Sequence, residues 1–418
     1  MDAMAASQPR FKKELVIPQE ILELVVENLG DDEVSLSAFS LVSRIFLSAC
    51  RVHRFRHLTF ANPLAEDRFH AYKQCLALRK LATEAPDLLR HTRRLTLILE
   101  RPLGNDPSLP WIIERLRCLS SLRLLSGSVE PVIEWDSFSP ELQQALQVLF
   151  RRSPTIHSLV IRSYENVPVE ILRGATSLKH MAFNYTSWSP DPSISPNFAS
   201  EDLARPTSLR VAGYARNGER RTEMFMEPPK SLFSVEALVE LEVVWTERMG
   251  LQFESIFGPC LRSLQSLSVE FVAGAHESVP VNLSRLSSLR VWKATVSFSR
   301  LAAFFRSLLR RRAGTPEGSA FDEYNTMIAS LKTVEPNFSK LELFYLKVTA
   351  DNSVDTIHWG ELDDMIARLN RAHPLQTVTI DFHCPPTYPS GSQTGPTIRT
   401  HLPLVDALGI LVVQTRFD

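Results

Sequence analysis

Few residues in this sequence combine a reactive type with a spacing that could do chemistry. His383-Cys384 places a thiol beside an imidazole, as in a phosphatase loop, but that loop needs a phosphate-binding arginine and position 390 is Ser. GSQTG at 391–395 has the outline of a nucleophile elbow, yet its central residue is Gln393, which is no nucleophile. His53 and His57 have the i, i+4 spacing of two zinc ligands on a helix, without the intervening glutamate or a third ligand. The five cysteines, Cys50, Cys75, Cys118, Cys260 and Cys384, are scattered and odd in number, which argues against a disulfide framework or a zinc site and fits a reducing compartment. No glycine-rich phosphate loop occurs, and the chain has only 15 glycines. The expectation is a non-catalytic protein without cofactor or metal.

The elements around these residues point to binding instead. In 418 residues, 44% hydrophobic, a substantial core can be buried. A formal net charge of -1 gives the whole chain no pull toward nucleic acid or anionic lipid, so neither is expected as a partner. The N-terminal MDAMAASQPRFKKE lacks the patterns of a secretory signal or a transit peptide, and no stretch approaches the ~20 apolar residues of a membrane span. These features predict a cytoplasmic or nuclear protein.

Residues 1–13 read as a disordered tail. After them, Pro18 suits a first helical position and Glu20 puts an acid in the first turn. Ile21, Leu22, Leu24, Val25 and Leu29 then form an apolar stripe, and Gly30-Asp31-Asp32 stops the helix. A second helical pattern runs through Leu36, Phe39, Leu41, Val42, Ile45, Phe46 and Ala49. Helices this short cannot bury so much apolar surface among themselves.

IPQEILELVVENL followed by SLSAFSLVSRIFLSACRVHRFRHLTF resembles the F-box motif across residues 14–58, with Pro18, Glu20, Ile21, Leu22, Leu29, Leu41, Val42, Ser43, Arg44 and Phe46 in its characteristic places. Ile17 stands where leucine is usual and Phe46 where tryptophan is commoner, so the surface stays apolar with less aromatic area. The resemblance implies docking onto a Skp-family adaptor, and through it a cullin, with Pro18, Ile21, Leu22, Val25, Leu41, Val42 and Phe46 at or directly behind the interface. Each could instead be a contact inside the helical module, Val25 and Leu29 above all.

From residue 59 to 418 a short strand of the form L-x-x-L-x-L recurs, as in LSSLRLL (119–125), IHSLVI (156–161), LKHMAF (178–183), LVELEV (238–243), LQSLSV (264–269), LSSLRV (286–291), FSKLELF (338–344) and LQTVTI (375–380). Helices are predicted between them at 66–83, 140–150, 299–312, 320–333 and 359–371. The interval between equivalent leucines runs from 22 residues (Leu267 to Leu289) to 52 (Leu289 to Leu341). Alternating strands and helices predict an α/β fold: a parallel sheet with helices on one side, wound as a curved solenoid. This region resembles the degenerate leucine-rich-repeat-like part of fungal F-box proteins. Polar insertions are expected near 184–232 and 383–398.

The combined expectation is the substrate-recognition subunit of a Skp-cullin-F-box ubiquitin ligase, binding a protein target on the repeat domain. The alternative is a non-ligase interaction scaffold on the same solenoid. If leucines face the core and the residues between them face outward, the later strands present Glu242, Glu270, Arg290, Trp292, Glu342, Phe344 and Asp381. Acids beside aromatics would suit a basic peptide segment. The plainer reading is an ordinary surface, or one covered by inserted helices.

Overall fold

The computed structural model describes residues 18–29, 32–42, 44–61, 70–127, 133–189, 203–212, 233–245, 247–271, 279–298, 322–334, 340–350, 357, 359–384 and 391–417. The predicted tail at 1–13 and the helix at 299–312 lie outside them.

Three helices open the described chain: α1 (Gln19–Leu29), α2 (Glu33–Val42) and α3 (Arg44–Arg56). Pro18 lies before α1, where its carbonyl accepts the first helical bonds from the amides of Ile21 (3.1 Å) and Leu22 (3.3 Å). It therefore acts one position earlier than expected. Asp32, read from sequence as part of a stop signal, starts the next helix. Its Oδ1 accepts from the amides of Val34 (3.0 Å) and Ser35 (3.2 Å), and its Oδ2 from the Ser35 hydroxyl (2.6 Å). These bonds, the hydroxyl's first among them, hold the Asp32 carboxyl below its ordinary range. The second predicted helical pattern is thus two helices.

Twelve strands then form one parallel sheet: β1 (His57–Phe60), β2 (Arg94–Leu99), β3 (Ser121–Ser126), β4 (Ser158–Arg162), β5 (His180–Asn184), β6 (Ser208–Ala212), β7 (Glu240–Trp245), β8 (Ser266–Phe271), β9 (Val291–Phe298), β10 (Leu343–Ala350), β11 (Thr377–Cys384) and β12 (Leu411–Phe417). Their order in the sheet is their order in the chain, and the sheet does not close into a barrel. The fold is mixed α/β. β6 lies inside the segment read as an insertion, and pairs with both β5 and β7. The second polar excursion is also shorter than expected, because a helix begins at Gly391 and runs to His401.

The repeat is physical rather than numerical. From β3 to β5 and from β7 to β11 each strand is preceded by a buried apolar residue and contributes two or more, as in Leu264, Leu267 and Val269, all 0% exposed. At each entrance from β3 to β11, one carbonyl accepts from two successive amides of the next strand. The Arg93 carbonyl takes Ser120 and Ser121 (2.7 and 3.0 Å), and the Gln265 carbonyl takes Arg290 and Val291 (2.8 and 3.0 Å). This clamp sets the register whatever the length of the connection. Helices cover the apolar face, among them Pro140–Arg152, whose N-terminus is capped by the Ser139 hydroxyl accepting from the Leu142 amide (3.2 Å), as predicted. Strand and helix residues merge into one continuous core, while Leu29, Phe39 and Ala49 pack around Val26, Leu36 and Cys50 in a separate small one.

Candidate functional site

Helix α1 carries two apolar stripes. Leu22, Val26 and Leu29 point inward, at i, i+4 and i+7, with Leu22 at 3% and Val26 at 2% exposure. Ile21 (48%), Leu24 (53%) and Val25 (38%) stand in solvent. Helix α2 repeats the pattern: Leu36 is buried, while Val34 (79%), Leu41 (87%) and Val42 (67%) are open. Of the expected adaptor residues, Pro18, Ile21, Val25, Leu41 and Val42 are exposed. Leu22 is buried and lies behind the exposed row, because the helical period sets it a full 100° from Ile21. Phe46 is half-buried, its ring edge-on to Phe39 with centroids 4.4 Å apart. The sequence reading missed Leu24 as a surface residue and did not single out Val34. Two stripes on one helix were the available signal, since an amphipathic helix needs only one.

The open face of the sheet differs from expectation at three residues. Trp292 (0% exposed) and Phe344 (1%) face the core and pack on each other, with ring centroids 5.4 Å apart. Their strand partners are core positions too, since Leu267 pairs with Trp292 and Trp292 with Phe344. Alternation counted from Leu289 or Leu341 fails because those leucines precede β9 and β10, and strand parity starts only at the strand. Asp381 does lie on the open-face row but is 2% exposed. Tyr345 donates its hydroxyl to Asp381 Oδ2 at 2.5 Å, and His383 Nε2 and Arg416 Nε approach the carboxylate to 3.3 and 3.4 Å. Burial, then the bond to Asp381, pushes the Tyr345 phenol up to about 12.

The remaining predicted residues are on the open face or its rim, and mostly paired. Arg210 meets Glu242 at 3.2 Å, and Arg290 grips Glu342 through two bonds of 2.9 Å. Glu270 is half-buried between strands bearing Glu242, Arg210 and Lys347. Burial raises its carboxyl above the ordinary range, Arg210 opposes that, Glu242 adds to it and Lys347 opposes it. Acids of this face are therefore already engaged, and the aromatics thought to stand beside them are not there.

Among the described residues, no group of three His, Cys, Asp or Glu side chains could hold a metal ion, and no helix is long and apolar enough to cross a membrane. Gln393 lies within a helix, not at a strand-to-helix turn, and His383 is turned toward Asp381. Two surfaces stand out among the described residues: the exposed apolar stripes of α1 and α2, and the open face of the sheet. No protein-family model matches the chain, and a search of curated proteins finds no similar sequence.

Proposed function

We propose that this chain is the substrate-recognition subunit of a Skp-cullin-F-box ubiquitin ligase, in which α1 to α3 form an F-box module that docks on a Skp-family adaptor and the sheet is a leucine-rich-repeat-like solenoid that holds a protein target. The observation that carries the reading is the outward stripe of Ile21, Leu24 and Val25, with Val34, Leu41 and Val42 on the next helix. An isolated three-helix unit gains nothing from exposing these side chains, whereas covering each would contribute about 1.5–3 kcal/mol. The motif over residues 14–58 names an adaptor as the cover. Sheet strands in chain order, each entered through the same backbone clamp, support the repeat reading. Catalysis in such an assembly is proximity: the chain holds the target while other subunits transfer ubiquitin.

The test is co-expression of the full chain with a Skp-family adaptor and a cullin, beside a variant carrying Ile21→Asp and Val25→Asp. Both positions are exposed, so the variant keeps its fold while placing two carboxylates in an apolar interface. Recovery of both partners by wild type and of neither by the variant supports the proposal. Recovery of the adaptor without cullin favours a scaffold outside any ligase. Failure of folded wild-type protein to hold the adaptor overturns the docking role.

A further inference from the structure

The sheet ends on a strand whose outer edge is unguarded. β12 pairs with β11 in one continuous parallel register, and among the described residues no strand pairs with its other side. Parity shows which backbone groups face out. The Ile410 carbonyl accepts from the Val378 amide at 2.9 Å, and the N–H and C=O of one strand residue point the same way, alternating along the strand. Those of Ile410, Val412, Gln414 and Arg416 therefore face β11, and those of Leu411, Val413, Thr415 and Phe417 face away. The Arg399 guanidinium donates to the outward Leu411 carbonyl at 3.3 Å, and Val413 and Thr415 lie farther along the edge.

Natural sheets blunt their edges with proline, lysine, a bulge or a very short strand, because unpaired backbone groups template pairing with another chain. LVVQTRF has no proline and no lysine, its register holds no bulge, and its 7 residues exceed the 4 of β1 at the opposite edge. Val412, and Leu404 and Leu408 shortly before the strand, are exposed apolar side chains.

We propose that β12 is a homodimer interface, pairing antiparallel with β12 of a second copy about a two-fold axis at Gln414. Three features select a copy of this chain as the occupant. In that register Val413 comes opposite Thr415 of the second copy and Leu411 opposite Phe417, so outward groups meet outward groups along the whole strand. Charge fits as well: Arg416, the strand's one charged residue, comes opposite Val412 and is drawn inward to Asp381 at 3.4 Å, so no like charges face each other. A head-to-tail stack onto β1 could pair only 4 residues, whereas the two-fold uses all 7. Seven paired residues span about 23 Å, a small interface beside those of permanent complexes, so the dimer is reversible. The inference goes beyond adaptor docking, which concerns α1 and α2. Its experiment contains no adaptor, so failure of either leaves the other standing.

Sedimentation velocity of the full chain over a wide range of concentrations reads the assembly, repeated with Val413→Pro, Val412→Lys and Val412→Glu. Proline at 413 deletes an outward amide and leaves the bonds to β11 in place. Position 412 is exposed and lies opposite Arg416 of the second copy, where lysine repels and glutamate attracts. A concentration-dependent wild-type dimer, lost in Val413→Pro, weakened several-fold by Val412→Lys and tightened by Val412→Glu, supports the proposal. A monomer at every concentration, an open-ended polymer, or a dimer indifferent to all three variants overturns it. A dimer lost in Val413→Pro but shifted alike by lysine and glutamate overturns the axis at Gln414. Circular dichroism of each variant excludes unfolding as the cause, and the two exposed Val412 variants carry the test should the proline disturb the strand.

Discussion

Replacing Trp292 separates two readings of the sheet. If its ring faced the open side, Trp292→Ala would change binding and hardly touch stability. With the ring 0% exposed and stacked at 5.4 Å on Phe344, the opposite is expected. Truncation removes about 150 Å² of buried apolar surface, which at about 25 cal/mol per Å² is about 4 kcal/mol. That agrees with the range of about 3–5 kcal/mol for large aromatic truncations in cores. Trp292→Phe is the internal control. The indole Nε1 is buried without an acceptor among the described residues, a situation that costs about 1–3 kcal/mol. Phenylalanine deletes that donor along with some area, so the two effects offset and the net loss stays near 1 kcal/mol. Urea unfolding followed by far-UV circular dichroism, with unchanged slopes, reads both values. A loss below about 1 kcal/mol for Trp292→Ala would refute the β8–β9 register and return the ring to the open face.

Leu22→Asp is expected to unfold the N-terminal helices, since it buries a charge at a 3% exposed position, whereas Ile21→Asp leaves helix content intact; circular dichroism of residues 14–58 within the full chain, by difference against a truncated chain, distinguishes them. Ser139→Ala removes the hydroxyl that accepts from the Leu142 amide and should cost about 1 kcal/mol in urea unfolding. Burial raises the Glu270 carboxyl, so ionising it opposes folding: its favourable contribution is complete below the ordinary value of 4.5 and is lost as pH rises through the folded value. Glu270→Gln should accordingly stabilise the protein at pH 7 by more than at pH 4, and an effect of equal size at both would contradict the assignment. Burial also pushes the Cys260 thiol up to about 12 and raises that of Cys75, so neither should react with an aromatic disulfide reagent at pH 8 until urea is added, as peptide mapping would read.

Periodicity alone made the class of fold legible. The spacing of Leu264, Leu267 and Val269 and its relatives announced strands, Ser139-Pro140-Glu141 announced a capped helix, and alternation of the two announced a parallel α/β sheet. The apolar content of 18–29 likewise announced a helix with too much to hide. These signals survive in sequence because they are local: a cap acts across three residues, a helical stripe across four, a strand across two.

Which side of each stripe meets water was decided by the tertiary structure. Leu22 and Ile21 are adjacent, equally apolar and equally consistent with either face, and only packing over α2 and α3 turns one inward. In LSSLRVW and FSKLELF, two overlapping frames satisfy the leucine pattern, and the Gln265 and Arg290 carbonyls choose between them by clamping the next pair of amides. That choice sends Trp292 and Phe344 into the core and leaves Arg290 and Glu342 to find each other across two strand entrances. Ser208–Ala212 joined the sheet from within an apparent insertion for the same reason, because pairing on both edges outweighs the weak signal of a five-residue strand. The gathering of Tyr345, Asp381 and Arg416 from three strands was beyond local reading altogether. It depends on parallel pairing that lays residues from separate repeats side by side, and no local pattern encodes how many residues the chain spends between them.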